Sequence, residues 1–87
     1  MDINRKSGIL KAMGHPVRLA ILHGLRTSKG CNVSDMVEKL DLPQSTVSQH
    51  LGILRNAGII KPQKKGVSAC YEIISADVIK LLGALGD

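Results

Sequence analysis

The chain has no tryptophan and no phenylalanine, and Tyr71 is its single aromatic residue. Its interior must therefore be aliphatic, drawn from the Leu, Ile, Val, Met and Ala that dominate a 44% hydrophobic composition. No apolar run reaches the roughly 18 residues of a membrane-spanning helix, and the segment from Met1 to Lys6 lacks the apolar stretch of a secretory signal. These absences predict a cytoplasmic protein with no membrane partner. There are only two cysteines, Cys31 and Cys70, too few for a disulfide framework and too far apart for a CxxC pair. Reduced thiols are the default expectation.

Length and composition set further bounds. Charged residues make up 22% of the 87 residues and no low-complexity run or internal repeat is visible, so the chain reads as folded and globular. It has room for one domain, 1–87, since independent cores come at about one per 100–200 residues. So short a chain often needs a disulfide, a metal or a second subunit to complete its core, and a dimer would meet that need.

Acidic residues are missing altogether from Leu42 to Tyr71, whereas Arg55, Lys61, Lys64 and Lys65 fall there. The net charge is +5 and the isoelectric point lies near 9.6. Such a balance suggests a polyanionic partner, and its concentration in one stretch says more than its total. A charge run is also compatible with a solvated face kept for solubility, so the surrounding pattern has to decide.

Apolar spacing predicts a helix over about Ile3 to Met13 that stops near Gly14-His15-Pro16. A second helix follows over about Pro16 to Thr27, because proline suits a first helical position where its missing N–H would have had no acceptor. Val17, Leu19, Ala20, Ile21, Leu22 and Leu25 cover most of its circumference, which predicts burial on several sides. Turn chemistry at 27–30 leads to a very short strand at Cys31-Asn32-Val33. Ser34 is the expected N-cap of a third helix, Asp35 to Leu40, with Met36, Val37 and Leu40 inward.

After the break at Asp41-Leu42-Pro43, a fourth helix runs from about Gln44 to Asn56. Val47, Leu51 and Leu54 stand at i, i+4 and i+7, and Ala57-Gly58 ends it with a left-handed turn. Ile59 to Gln63 and Val67 to Ile74 read as strands joined by Lys64-Lys65-Gly66, with Pro62 fitting only an edge. Ala76 to Leu85 makes a last amphipathic helix with a wide apolar stripe. The fold class is mainly α (α+β), a winged helix-turn-helix in the order α-α-(β)-α-α-β-β-α. Its helix-turn-helix spans about 34–57, its wing about 59–74, and its dimerisation helices about 3–13 and 76–85.

Two short helices joined by a tight turn, the second apolar inside and small and polar outside, make the helix-turn-helix pattern. A helix just fits the DNA major groove, so its groove-facing residues must be small or amide-bearing to reach base edges. Gln44, Ser45, Thr46, Ser48 and Gln49 meet that need. Glutamine pairs bidentately with adenine, which makes Gln44 and Gln49 the first candidates for base reading. An isolated polar face would read as plain solvent surface, but the basic hairpin that follows tips the balance toward double-stranded DNA. Lys64 and Lys65 at its tip suit an adjacent phosphate backbone or minor groove, with Lys61 and Arg55 as further contacts and His50 either packing or touching phosphate. If four basic residues meet phosphates, the logarithmic salt slope is roughly −3.6, and Lys64→Ala flattens it by about one unit.

The stretches Ala12 to Leu22, Leu42 to Leu51, Leu54 to Ile60 and Gly66 to Tyr71 resemble the ArsR/SmtB family of bacterial repressors. The Ser-x-His-Leu run at Ser48–Leu51 and the His-Pro-x-Arg-Leu run at His15–Leu19 carry that resemblance, which covers most of the chain. It implies a homodimer whose recognition helices enter successive major grooves of a palindromic operator, with the first and last helices forming the dimer contact. It also implies release by an inducer at a separate site, whose identity the residues do not reveal.

Metal sensors of that family place a Cys-x-Cys pair at the start of the first motif helix, or Asp and His ligands on the last helix. Here the first place reads Asn32-Val33-Ser34-Asp35, and the last helix offers Asp77 alone. His15, His23 and His50 lack mutual ligand spacing, so no metal and no cofactor is expected. His15 is read as helix-capping or structural. Cys31 and Cys70 fall on neighbouring strands of such a fold and are candidate redox thiols, weighed against two small buried apolar residues. Two rivals remain: a winged-helix protein-interaction module without DNA binding, and an enzyme. For the second there is no phosphate-cradling glycine loop, no paired carboxylates and no nucleophile with a base, so no catalytic residue is assigned.

Overall fold

Asp2 opens the first helix, α1 (Ile3–Met13), by accepting a 3.1 Å hydrogen bond from the Arg5 backbone N–H. The computed structural model describes residues 2–27, 33–65 and 68–86, with 64, 65, 68 and 69 described for their backbone only. Helix α1 ends at Gly14, whose N–H donates to the carbonyls of Leu10 and Lys11. Helix α2 (Pro16–Thr27) begins at the proline, as its chemistry predicts. His15 caps it, with Nδ1 accepting from the Val17 N–H at 3.1 Å.

Helix α2 is less enclosed than its apolar circumference suggested. Ile21 and Leu22 are buried, Val17, Leu19 and Leu25 are half-buried, and Ala20 is exposed. The open side lies beside the end of the last helix, where Leu19, Ala20 and His23 line a shallow groove with Leu82 and Leu85. Within one chain there is too little partner surface to cover every face of a helix.

Helix α3 (Val33–Leu40) starts earlier than expected. Val33 is helical, not a strand residue, and Ser34 lies inside the first turn, not at the cap. Val33 packs against the core, and that contact draws the helix back over Ser34. Cys31 and Asn32, the rest of the expected strand, lie outside the described residues. Asp41 follows with φ 54, a left-handed conformation, and the Leu42 N–H returns to Val37 O at 3.4 Å.

Helix α4 (Gln44–Asn56) ends in a complete Schellman motif. The Ile59 N–H bonds Leu54 O at 3.1 Å, the Gly58 N–H bonds Arg55 O at 3.0 Å, and Gly58 turns left-handed at φ 75. The accompanying apolar contact is built from Leu54 and Ile59, both fully buried.

The hairpin pairs β1 (Ile60–Lys65) with β2 (Ser68–Ile73) antiparallel, in register from Ile60 opposite Ile73 to Lys65 opposite Ser68. Lys64 and Lys65 thus belong to the strand, not the connection, because cross-strand pairing with Ala69 and Ser68 continues to the end of β1. The Ile74 N–H donates to Ile59 O at 2.9 Å, so Ile59 and Ile74 form a hydrogen-bonded pair. By alternation Pro62, opposite Tyr71, occupies a non-bonded position with its nitrogen turned away from β2. Helix α5 (Ala76–Leu85) starts at Ser75, whose Oγ accepts from the Val78 N–H at 3.2 Å.

The core is aliphatic, as the missing aromatics require. Leu22, Val47, Leu51, Leu54, Ile59, Ile60 and Val78 are its most deeply buried side chains, and Tyr71 packs at its margin. Each such aliphatic residue contributes about 1.5–3 kcal/mol relative to exposure. Because α4 and β1 both insert into it, this core fixes the recognition helix against the hairpin.

Candidate nucleic-acid interface

Helix α4 packs against α1, α2, α3 and β1, and it turns Val47, Leu51 and Leu54 toward them. On a helix of about 3.6 residues per turn, Ser45, Gln49, Gly52 and Asn56 fall opposite that seam. Gln44, Ser45, Ser48 and Gln49 are exposed, and so is Arg55 on the last turn. Thr46 is only half-exposed and lies on the flank shared with His50. The polar row is therefore four residues open to solvent with a fifth partly withdrawn. No side chain caps the start of α4, where Pro43 O accepts from the N–H groups of Thr46 and Val47.

His50 does not stand free on this helix. Arg18 of α2 places Nη1 3.2 Å from His50 Nδ1, and its Nε donates to Ala12 O at 2.5 Å. The ring of His15 lies 4.6 Å from that of His50, tilted by 42°. Arginine has no acceptor, so His50 Nδ1 must present a lone pair and the proton of the neutral ring sits on Nε2. Partial burial first, then electrostatic interaction with His15 and Arg18, hold His50 below the ordinary imidazole value of 6.5.

On the wing, Lys61 is exposed, with Nζ 3.3 Å from Glu72 Oε1. The other carboxylate oxygen of Glu72 accepts from Gln63 Nε2. Lys61 is thus a paired charge, a feature hidden from a reading that stopped at the acid-free stretch before Glu72. The backbone carries Lys64 and Lys65 to the end of β1; their side chains lie outside the described residues. Cys70 on β2 is buried and disulfide-bonded, which departs from the expectation of reduced thiols, and Cys31 lies outside the described residues. Among the described residues no cluster of His, Cys, Asp or Glu has the makings of a metal site, and no helix is long and apolar enough to cross a membrane.

The residue that sequence reasoning passed over is Arg18. Its position in the His-Pro-x-Arg-Leu run was noted, yet its bond to His50, 32 positions away, is visible only in the fold.

The model of the bacterial regulatory protein arsR family matches residues 15–61. The transcriptional repressor PagR of Bacillus anthracis is 39% identical over 98% of this chain and 88% of its own length. HlyU from Vibrio cholerae superimposes with a TM-score of 0.87 at 32% identity, covering 98% of this chain and 94% of that one. A homodimeric winged helix-turn-helix DNA-binding domain from Mycobacterium bovis shares the fold, with a TM-score of 0.85 at 23% identity over 95% of this chain and 76% of that one. The relatives are regulators, not enzymes, and the chain belongs to the ArsR family of bacterial regulatory proteins, with the winged helix-turn-helix fold that its sequence predicted.

Proposed function

We propose that this chain is a transcriptional repressor that binds a palindromic operator as a homodimer in the cytoplasm. The observation that carries the reading is the exposure of Gln44, Ser45, Ser48 and Gln49 over the buried seam of Val47, Leu51 and Leu54. Gln44 and Gln49 read base edges, Ser45, Thr46 and Ser48 make shorter contacts, and Arg55, Lys64 and Lys65 meet phosphates. His50 contacts the backbone as well, and Lys61 contributes less than an isolated lysine because Glu72 already holds it. The whole of 1–87 acts as one domain, with its motif over about 34–57 and its wing over about 59–74.

Dimerisation uses α1 and α5. Ile3, Leu10, Ile79, Leu81 and Leu85 are exposed large hydrophobic residues on these two helices. Ile9, Leu10 and Leu81 line an open groove of about 350 Å³ between them. The winged helix-turn-helix neighbour from Mycobacterium bovis is itself a homodimer.

The test is selection of duplexes from a random pool by the purified protein. A palindromic consensus is expected, and Gln49→Ala should relax preference at one position by about tenfold or more. If no duplex is retarded at low salt, the chain is a protein-interaction module that kept the fold. A redox signal at Cys31 and Cys70 is the second reading, favoured by the burial and disulfide bonding of Cys70 on β2. Equal affinity for the selected duplex under oxidant and reductant would overturn it and leave release to an inducer.

A further inference from the structure

The Arg18 guanidinium joins three parts of the fold. Nε takes the carbonyl of Ala12 in the last turn of α1, the stem rises from the first turn of α2, and Nη1 takes the ring of His50 on α4. Gly14 and His15, which link α1 to α2, are themselves held. The Gly14 N–H bonds Leu10 O, and His15 Nδ1 accepts from Val17. Arginine suits this post because its planar fork donates in two fixed directions from one rigid group.

The same geometry sets the chemistry of His50. With Nδ1 occupied by Arg18, the neutral ring keeps its proton on Nε2. Among the described residues that donor has no partner, and no side-chain nitrogen or oxygen is both buried and unbonded, so Nε2–H is not sealed from solvent. It stands on the flank of α4 shared with Thr46, at the edge of the polar row. The charged group that holds it is Arg18, and His15 faces it from the α1–α2 turn.

We propose that Arg18 is a positioning residue for DNA recognition, presenting His50 as an uncharged Nε2–H donor to a backbone phosphate while tying the recognition helix to the end of α1. This rests on the DNA-binding reading above. It differs from an ordinary basic contact, because the donor contributes orientation without a cation and releases no counterion of its own.

The experiment uses isosteric replacements and the duplex selected by the wild-type protein. Glutamine puts an amide N–H near the place of imidazole Nε2, whereas asparagine puts an acceptor near Nδ1. His50→Gln, which keeps a donor near Nε2 but loses the bond to Arg18, should lose less affinity than His50→Asn, and His50→Asn and Arg18→Lys should each lose about tenfold, the worth of one charge-assisted hydrogen bond. Arg18→Lys keeps the charge but not the fork, so its loss separates geometry from electrostatics. Combining it with His50→Asn should cost little more than either change alone. Imidazole nitrogen NMR on the free protein gives a readout that general destabilisation does not imitate. In Arg18→Lys the His50 ring should leave the pure Nε2–H form for a mixture of tautomers, with circular dichroism unchanged.

Three results would overturn the inference: an unaltered His50 tautomer in Arg18→Lys, equal losses for His50→Gln and His50→Asn, or full affinity in Arg18→Lys. If the wild type selects no duplex, the DNA reading fails and this inference fails with it. Selection by the wild type with Arg18→Lys unaffected overturns the inference alone.

Discussion

Lys61 and Glu72 face each other across the hairpin, 3.3 Å apart, so the wing's basic character is uneven along its length. A lysine already neutralised by a carboxylate releases fewer DNA counterions. Lys61→Ala should therefore flatten the salt slope of duplex binding by less than the roughly one unit expected for Lys64→Ala. Glu72→Gln should raise affinity at low salt by freeing Lys61. Affinities titrated against salt for these three variants check the ordering, and equal slopes for both lysine variants would contradict it.

Gly58 carries φ 75 at the end of α4, and a Cβ there would meet nothing within 4 Å. The cost of Gly58→Ala is thus conformational and not a clash, about 1–2 kcal/mol. Thermal unfolding should show it as a fall of roughly 4–8 °C per kcal/mol for a domain of this size. An unchanged midpoint would mean that the left-handed turn is not needed.

His50 gives the free protein an acid limb. Its folded value lies below the ordinary 6.5, through burial first and then His15 and Arg18, so the unfolded chain takes up the proton more readily. The stability it contributes is fully present above about pH 6.5 and is lost as pH falls through the depressed folded value. Denaturant titrations across that window should show wild-type stability dropping on acidification, with a shallower drop in His50→Asn. Parallel curves for the two proteins would remove His50 as the source.

Leu10 is 57% exposed and borders the α1–α5 groove, so a charge there costs the single chain little. In Leu10→Glu, sedimentation should report a monomer with unchanged circular dichroism. Affinity for a palindromic duplex should fall by about a hundredfold, since the second half-site no longer adds to the first. A dimer that survives this change would move the subunit contact elsewhere.

Much of this molecule could be read from local pattern. The apolar period of α4, the proline that starts α2 and the glycine that closes α4 act within one or two helical turns, and the structure places them as expected. Val33 is different, since its conformation answers to packing as well as to its own preference. The reach of β1 through Lys65 depended on cross-strand pairing that the Lys64-Lys65-Gly66 run does not announce. The candidate site divides the same way. Gln44, Ser45, Ser48 and Gln49 were placed by periodicity alone, but the bonds that hold His50 and Lys61 join residues distant in the chain.

Pro62 has one more effect. With its nitrogen turned outward, the free border of β1 lacks a donor midway, and the ring stands where an approaching strand would have to lie. Another chain cannot extend the ribbon along that border by ordinary strand addition. The hairpin is thereby kept narrow along that border.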